Sequence, residues 1–153
     1  GHGLSHRAPN ILTSLELTSS VMEQRNIHLQ KKYKEIQQKE VRFETKNIEE
    51  CDYAIVAFGS AARISQKAIE IAKTENIQVG LFRPITLWPF PEELANHVKG
   101  ILVVEINAGQ MVNDVKLAVN GKVPVVQFGR LGGIVPNPDE IVNALKTSLL
   151  NQK

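Results

Sequence analysis

Four short apolar runs constrain the fold of this chain more than any other feature: YAIVAF (53–58), IQVGLF (77–82), ILVVEI (101–106) and VPVVQF (123–128). Their apolar residues are consecutive rather than alternate, so a strand built from any of them must be covered on both faces. Each run leads into a stretch with helix-start chemistry, at Ser60, near Pro91, near Gln110 and from Asn137. Repeated strand–helix units predict a parallel sheet held between two helical layers. The earlier segment VRFET (41–45) alternates apolar and polar residues and fits a half-buried or edge strand.

The helix starts carry separate signals. Gly59 allows a tight turn and the Ser60 hydroxyl can cap free amides; Ile64, Ala68, Ile71 and Ala72 follow at helical spacing. Pro91 precedes Glu92 and Glu93, acids at the positive end of a helix dipole. Asn137-Pro138-Asp139-Glu140 combines a cap, a proline at the first helical position and a capping-box glutamate, with Ile141, Leu145 and Leu149 as the buried stripe.

Ahead of these units, residues 1–17 show no sustained period and read as an extended arm. A helix is expected from Ser19 or Ser20 to about Lys39, with Ser20 and Glu23 as a capping box. Val21, Met22, Leu29, Tyr33 and Ile36 give it one narrow apolar side among charged residues and glutamines. The expected organisation is a connecting arm and amphipathic helix over 1–40, then an α/β domain over 41–153. The opening Gly-His-Gly lacks a methionine and reads as a piece of something longer or as a tag remnant.

Composition removes several function classes. At 153 residues, 42% hydrophobic and 22% charged, the chain is globular rather than disordered. Its formal charge of +2 comes with scattered basic residues, and Lys31, Lys32 and Lys34 read as a solvated helix face, so no nucleic-acid partner is expected. The longest apolar run is far short of the ~20 residues that cross a membrane. Cys51 is the only cysteine, so this chain can form no internal disulfide and no four-thiolate iron–sulfur site. A reducing, cytoplasmic setting is expected.

In open α/β sheets, ligands gather beyond the carboxyl ends of the strands. Here those ends read FGSAAR, FRPITLWPFP, EINAGQ and FGRLGGIVPNP. None carries a dinucleotide or P-loop fingerprint. Ser60 and Arg63, with Arg83 and Arg130, are candidates for holding an anion, although Gly59 and Ser60 also suit a plain turn and cap. Glu105 ends an apolar strand and needs a partner; we read it as ion-paired to Arg83 or Arg130 in preference to an acid–base group. No carboxylate pair, Ser–His–Asp set or Cys–His set can be assembled from these loops, so no catalytic residue and no metal site is assigned. His2 and His6 have metal-ligand spacing, but Pro9 and the glycines disfavour a helix there and no third ligand accompanies them. His28 and His97 read as surface or boundary residues.

The remaining features point to contact with protein. Prolines stiffen the loop that carries Trp88 and Phe90, so little entropy is lost when it docks. Gly132 and Gly133 permit close approach, and Ile134 and Val135 are apolar in a loop. The candidate interface is Trp88, Phe90, Asn107, Gly109, Gln110, Arg130, Gly132, Gly133 and Ile134.

Three long segments, GLFRPITLWPFP, ILVVEINAGQMVNDVKLAVNGKVPV and FGRLGGIVP, resemble the C-terminal part of the alpha subunit of thiamine-diphosphate-dependent 2-oxoacid:ferredoxin oxidoreductases. HGLSHRAPNILTSLEL and the following VMEQRN are most similar to the form acting on 2-ketoisovalerate (3-methyl-2-oxobutanoate), with 2-oxoglutarate or pyruvate as alternative substrates. The resemblance implies a transketolase C-terminal-like domain: three layers, α/β/α, around a five-stranded mixed sheet with four parallel strands and one antiparallel edge strand. VRFET would be the odd strand. It also implies the reaction: a 2-oxoacid adds to thiamine diphosphate and loses carbon dioxide, electrons pass through iron–sulfur clusters to ferredoxin, and the acyl group leaves on coenzyme A. Thiamine diphosphate, Mg and the clusters belong to the whole complex; none is expected on this chain alone, which is expected to be inactive by itself. Its expected partners are the other domains and subunits. The competing expectation is a binding module that takes coenzyme A or another phosphate-bearing ligand at Ser60, Arg63, Arg83 and Arg130.

Overall fold

The computed structural model describes residues 11, 13–92, 94 and 98–150. The chain divides into two units between Gln38 and Lys39. In the first, helix α1 (Ser19–Lys39) has no buried residue. Met22, Leu29 and Ile36, seven residues apart, are its half-buried positions. Because α1 begins at Ser19, Ser20 lies inside the first turn, and Thr18 supplies the carbonyl that accepts from Met22 N at 3.0 Å. The cap position expected at Ser20 therefore falls to Thr18. His2 and His6 lie outside the described residues.

The second unit is a five-stranded sheet in the order β1-β3-β2-β4-β5. Its strands are β1 (Phe43–Lys46), β2 (Tyr53–Val56), β3 (Val79–Pro84), β4 (Gly100–Glu105) and β5 (Val125–Gly129). β1 runs antiparallel to β3, and the other pairings are parallel. The strands are shorter than the apolar runs or shifted along them. In β1, for instance, all four residues are exposed, and its alternating pattern yields only Phe43, stacked on Phe82 at 4.9 Å.

Consecutive apolar residues serve opposite faces of this sheet. Ile55, Leu81, Leu102 and Val104 pack on one side under α2 (Gly59–Thr74) and α4 (Pro138–Leu145). Ala54, Val56, Phe82, Ile101 and Val103 pack on the other under α3 (Met111–Val119), with Leu94 and Val98. Two cores, one per face, make the α/β/α sandwich. The helix expected from Pro91 falls largely outside the described residues, as do Glu93 and His97.

Helix α2 lies close to the sheet because its inner face is small: Ala61, Ala62, Ser65, Ala68 and Ala72 are buried. Ser65 Oγ is fully buried without a hydrogen-bond partner among the described residues. An unsatisfied hydroxyl costs about 1–3 kcal/mol, so Ser65→Ala is expected to raise stability by about 1 kcal/mol in urea unfolding. Ser65→Leu is expected to lower it, since the added volume has no room.

Cys51 is buried below β2. Burial pushes its thiol up, and the charges of Glu50 and Asp52 push in the same direction. A raised folded pKa means that its contribution to stability is complete below the ordinary thiol range, about 8.5, and is lost as pH rises through the folded value. Urea midpoints measured from pH 7 to 10 should fall more steeply for the wild type than for Cys51→Ala. Folded protein should also resist iodoacetamide at pH 8 until denaturant is added.

Candidate functional site at the carboxyl edge of the sheet

The connection from β2 leads to β3 on one side, and that from β4 leads to β5 on the other. The reversal lies between β2 and β4, where doubly wound sheets open a crevice at the carboxyl ends of their strands. Its two flanks are the start of α2, after β2, and the start of α3, after β4.

The α3 flank is filled by the chain itself. Glu105, the last residue of β4, is 1% exposed. Its carboxylate accepts from Gln110 N at 3.1 Å, Met111 N at 2.9 Å and Val112 N at 3.1 Å. Gln110 stands at the cap position with no side-chain cap bond of its own, so a carboxylate from the preceding strand does the capping. Backbone amides and the positive end of a helix dipole together suit a carboxylate as the acceptor. Asn107 Oδ1 accepts from Gly109 N at 2.7 Å, which folds the intervening turn. This corrects the expected ion pair: Glu105 meets backbone amides, and neither arginine side chain.

Both arginines are committed elsewhere. Arg83 donates to Glu44 of β1 at 2.8 Å, across the antiparallel register Glu44↔Arg83. Arg130 donates to Glu140 of α4 at 2.8 Å. β3 and β5 are three strand spacings apart, roughly 14 Å of sheet width. The two charges therefore do not converge on one small anion. At the α2 flank, Gly59 has φ +57 and the helix begins there, a residue earlier than expected. Phe58 occupies the cap position without a side-chain bond, and Ser60 sits in the first turn instead of capping it. Arg63 is exposed and makes no ion pair with another described residue.

The two outer loops are held by polar clamps and tipped with apolar side chains. After β3, Thr86 Oγ1 accepts from Arg42 N at 3.0 Å and donates to Pro89 O at 3.0 Å. Ile85 N also donates to Arg42 O, at 2.9 Å. This fixes a loop on which Ile85, Leu87 and Trp88 are exposed, Trp88 by 55%. Phe90 is half-buried against the core under α3, so the loop presents one aromatic rather than the expected two. After β5, Ile134 N donates to Leu131 O at 3.2 Å across Gly132 (φ +64) and Gly133 (φ +80), angles that suit glycine at both corners of the turn. Leu131, Ile134 and Val135 are exposed there. Glu140 closes that loop with one oxygen on Arg130 and the other on Asn137 N at 2.9 Å, within the expected capping box.

Thr86, Glu44 and the second role of Glu140 were missed in the sequence. A threonine among prolines carries no signature of the strand it will reach, and Glu44 became identifiable only through strand register. Among the described residues, no group of three His, Cys, Asp or Glu side chains is placed to hold a metal. No described helix is long and apolar enough to cross a membrane. A cavity of about 490 Å³ opens at the opposite, amino end of the strands, but Glu50 and Asp52 line it and would repel a phosphate.

Residues 51–141 match the family of the pyruvate:ferredoxin oxidoreductase core domain II. The chain is 39% identical over 128 residues to ketoisovalerate oxidoreductase subunit VorB of Methanothermobacter thermautotrophicus, covering 81% of this chain and 36% of that protein. It is 33% identical over 101 residues to 2-oxoglutarate synthase subunit KorA of Methanothermobacter marburgensis, covering 63% of this chain and 27% of that one. The chain thus spans about a third of the length of the curated relatives it matches. Its fold is similar to part of a solved 2-oxoglutarate:ferredoxin oxidoreductase from Magnetococcus marinus, with TM-score 0.73 and 22% identity over 94% of this chain and 27% of that one. A split-gene transketolase also matches, with TM-score 0.61 and 19% identity over 73% of this chain and 42% of that one.

Proposed function

We propose, on the premise that this chain belongs to the pyruvate:ferredoxin oxidoreductase core domain II family, that it is the C-terminal interface domain of an alpha subunit in a 2-oxoacid:ferredoxin oxidoreductase. The complex would decarboxylate a 2-oxoacid oxidatively, form the acyl-CoA and reduce ferredoxin in the cytoplasm. The substrate we favour is 2-ketoisovalerate, because the VorB match extends over 128 residues at 39% identity against 101 residues at 33% for KorA. 2-Oxoglutarate and pyruvate are the alternatives.

One observation carries the interface reading. The groups at the sheet edge that could engage a charged ligand are largely spent on partners within the chain, while the side chains left exposed on clamped loops are apolar. Loops fixed before docking lose little entropy when they meet a partner. The edge does not fit thiamine diphosphate with its magnesium. A diphosphate needs uncommitted cations, and magnesium needs free oxygens, whereas Arg83, Arg130 and Glu105 already have partners. Thiamine diphosphate, held by other parts of the complex, supplies the decarboxylation chemistry. This domain supplies surface.

The experiment compares assembly of the complete oxidoreductase with Trp88→Ala in the full chain. Loss of an aromatic anchor of hot-spot quality costs about 2 kcal/mol, so assembly is expected to weaken by roughly 30-fold. The chain's own thermal midpoint is measured in parallel, so that weakened assembly is read at matched folded concentration. Unchanged assembly would refute the interface reading. Exposed Arg63 keeps one alternative open, a module for coenzyme A at Ser60 and Arg63. Coenzyme A density on those side chains after soaking would favour that alternative.

A further inference from the structure

We propose that Glu105 is the positioning residue of this interface: its carboxylate takes the anion seat at the start of α3 and so sets the shape of the Asn107–Gln110 turn. The inference rests on the interface reading above and adds a cause for the turn's geometry. The start of a helix beside the switch point of a doubly wound sheet is a ready seat for an anion, with several amides aimed at one place. In this chain those amides belong to Gln110, Met111 and Val112, and one buried carboxylate receives all three.

The contacts around the seat make it a joint between strand and turn. Glu105 is paired with Gly129 in the β4–β5 register, and its own carbonyl accepts from Arg130 N at 3.4 Å. Its backbone is therefore tied to β5 while its side chain is tied to α3. Between these two anchors the chain must cross in the residues 106–109, and the Asn107–Gly109 bond at 2.7 Å folds them into one turn. Without the carboxylate, three amides lose their acceptor, and the turn has no reason to keep its present height above the sheet. Gln110, exposed at the turn's end, would move with it. A neutral amide at position 105 fills the space but cannot accept all three bonds as an anion does.

The test uses the complete oxidoreductase with Glu105→Gln, Glu105→Ala and Trp88→Ala in the full chain, with subunit assembly followed by sedimentation. Both Glu105 variants are expected to weaken assembly tenfold or more while retaining the wild-type circular dichroism. Millimolar formate is expected to restore Glu105→Ala saturably, because a free carboxylate can enter the vacated seat. Chloride at equal ionic strength should not restore it, and Glu105→Gln, whose side chain still occupies the seat, should not respond to formate. Wild-type assembly of Glu105→Gln overturns the proposal, and so does a folded Glu105→Ala that ignores formate. Should Glu105→Ala fail to fold, the assembly of Glu105→Gln decides alone. Trp88→Ala separates the two claims. If it also assembles normally, the interface reading has failed; if it alone is weakened, only the role of Glu105 has.

Discussion

Gly80→Ala is expected to destabilise the α/β domain by about 3 kcal/mol and to lower its thermal midpoint by roughly 10 °C. Gly80 lies within β3, paired with Ala54 of β2 in the interior of the sheet. A Cβ built there would stand 2.6 Å from the Cα of Ile48 and 3.0 Å from its backbone nitrogen. Ile48 opens the short 3-10 turn Ile48–Glu50 that carries the chain from β1 into β2, and it is 4% exposed. The neighbour that must yield is thus backbone, held between two strands, not the tip of a flexible side chain. Against a total stability of about 5–15 kcal/mol, such a loss is large. The mechanism has its own signature. Truncating the neighbour with Ile48→Ala removes side chain but leaves the clashing Cα, so the double variant should be less stable than either single one. Thermal and urea unfolding of the four proteins in that cycle measure it, and rescue by Ile48→Ala would show that the conflict is side-chain packing.

How much of this was legible in the sequence depends on which atoms carry each interaction. The α/β/α core was legible because burial on both faces writes itself as consecutive apolar residues, and Ile55 beside Val56, or Leu102 beside Val103, do serve opposite cores. The start of α4 was legible because a capping box uses side chains of known type at fixed spacing. The partners of Glu105 were not, because backbone amides leave no residue signature, and the two visible arginines drew the reading toward an ion pair. Those arginines found Glu44 and Glu140 instead, through strand register and loop closure, which sequence spacing does not encode. Trp88 and Phe90 look alike as a pair of aromatics, yet the clamp made by Thr86 leaves one exposed while the other joins the core. Gly59 shows the smallest shift of this kind: α2 begins there, one residue early, and Ser60 falls in the first turn and not at the cap position.

Gly129→Ala is expected to lower both stability and assembly, through the Asn107–Gln110 turn. Gly129 ends β5, and a Cβ there would stand 2.4 Å from the carbonyl oxygen of Asn107, 2.6 Å from Gln127 Nε2 and 3.1 Å from Glu105 O. The glutamine can swing away, since it is the far end of a flexible side chain donating only a 3.4 Å bond to that same carbonyl. The strands cannot separate, because Glu105 and Gly129 are register partners in the sheet. What must move is the Asn107 carbonyl, and with it the turn that leads to Gln110. The expected cost is about 2 kcal/mol of stability, within the usual range for overpacking. Assembly of the complete oxidoreductase should fall further, by tenfold or more beyond any loss of folded chain, because the displaced turn belongs to the proposed contact surface. Gly132→Ala provides the contrast. No atom lies within 4 Å of its added Cβ, so only its φ of +64 resists the change. That backbone penalty is about 1 kcal/mol, and the neighbouring tips Leu131 and Ile134 keep their clamp through Arg130 and Glu140. Sedimentation and urea unfolding of both variants read the two effects separately. If Gly129→Ala assembles like the wild type at matched folded concentration, the Asn107–Gln110 turn is not part of the surface that partners meet.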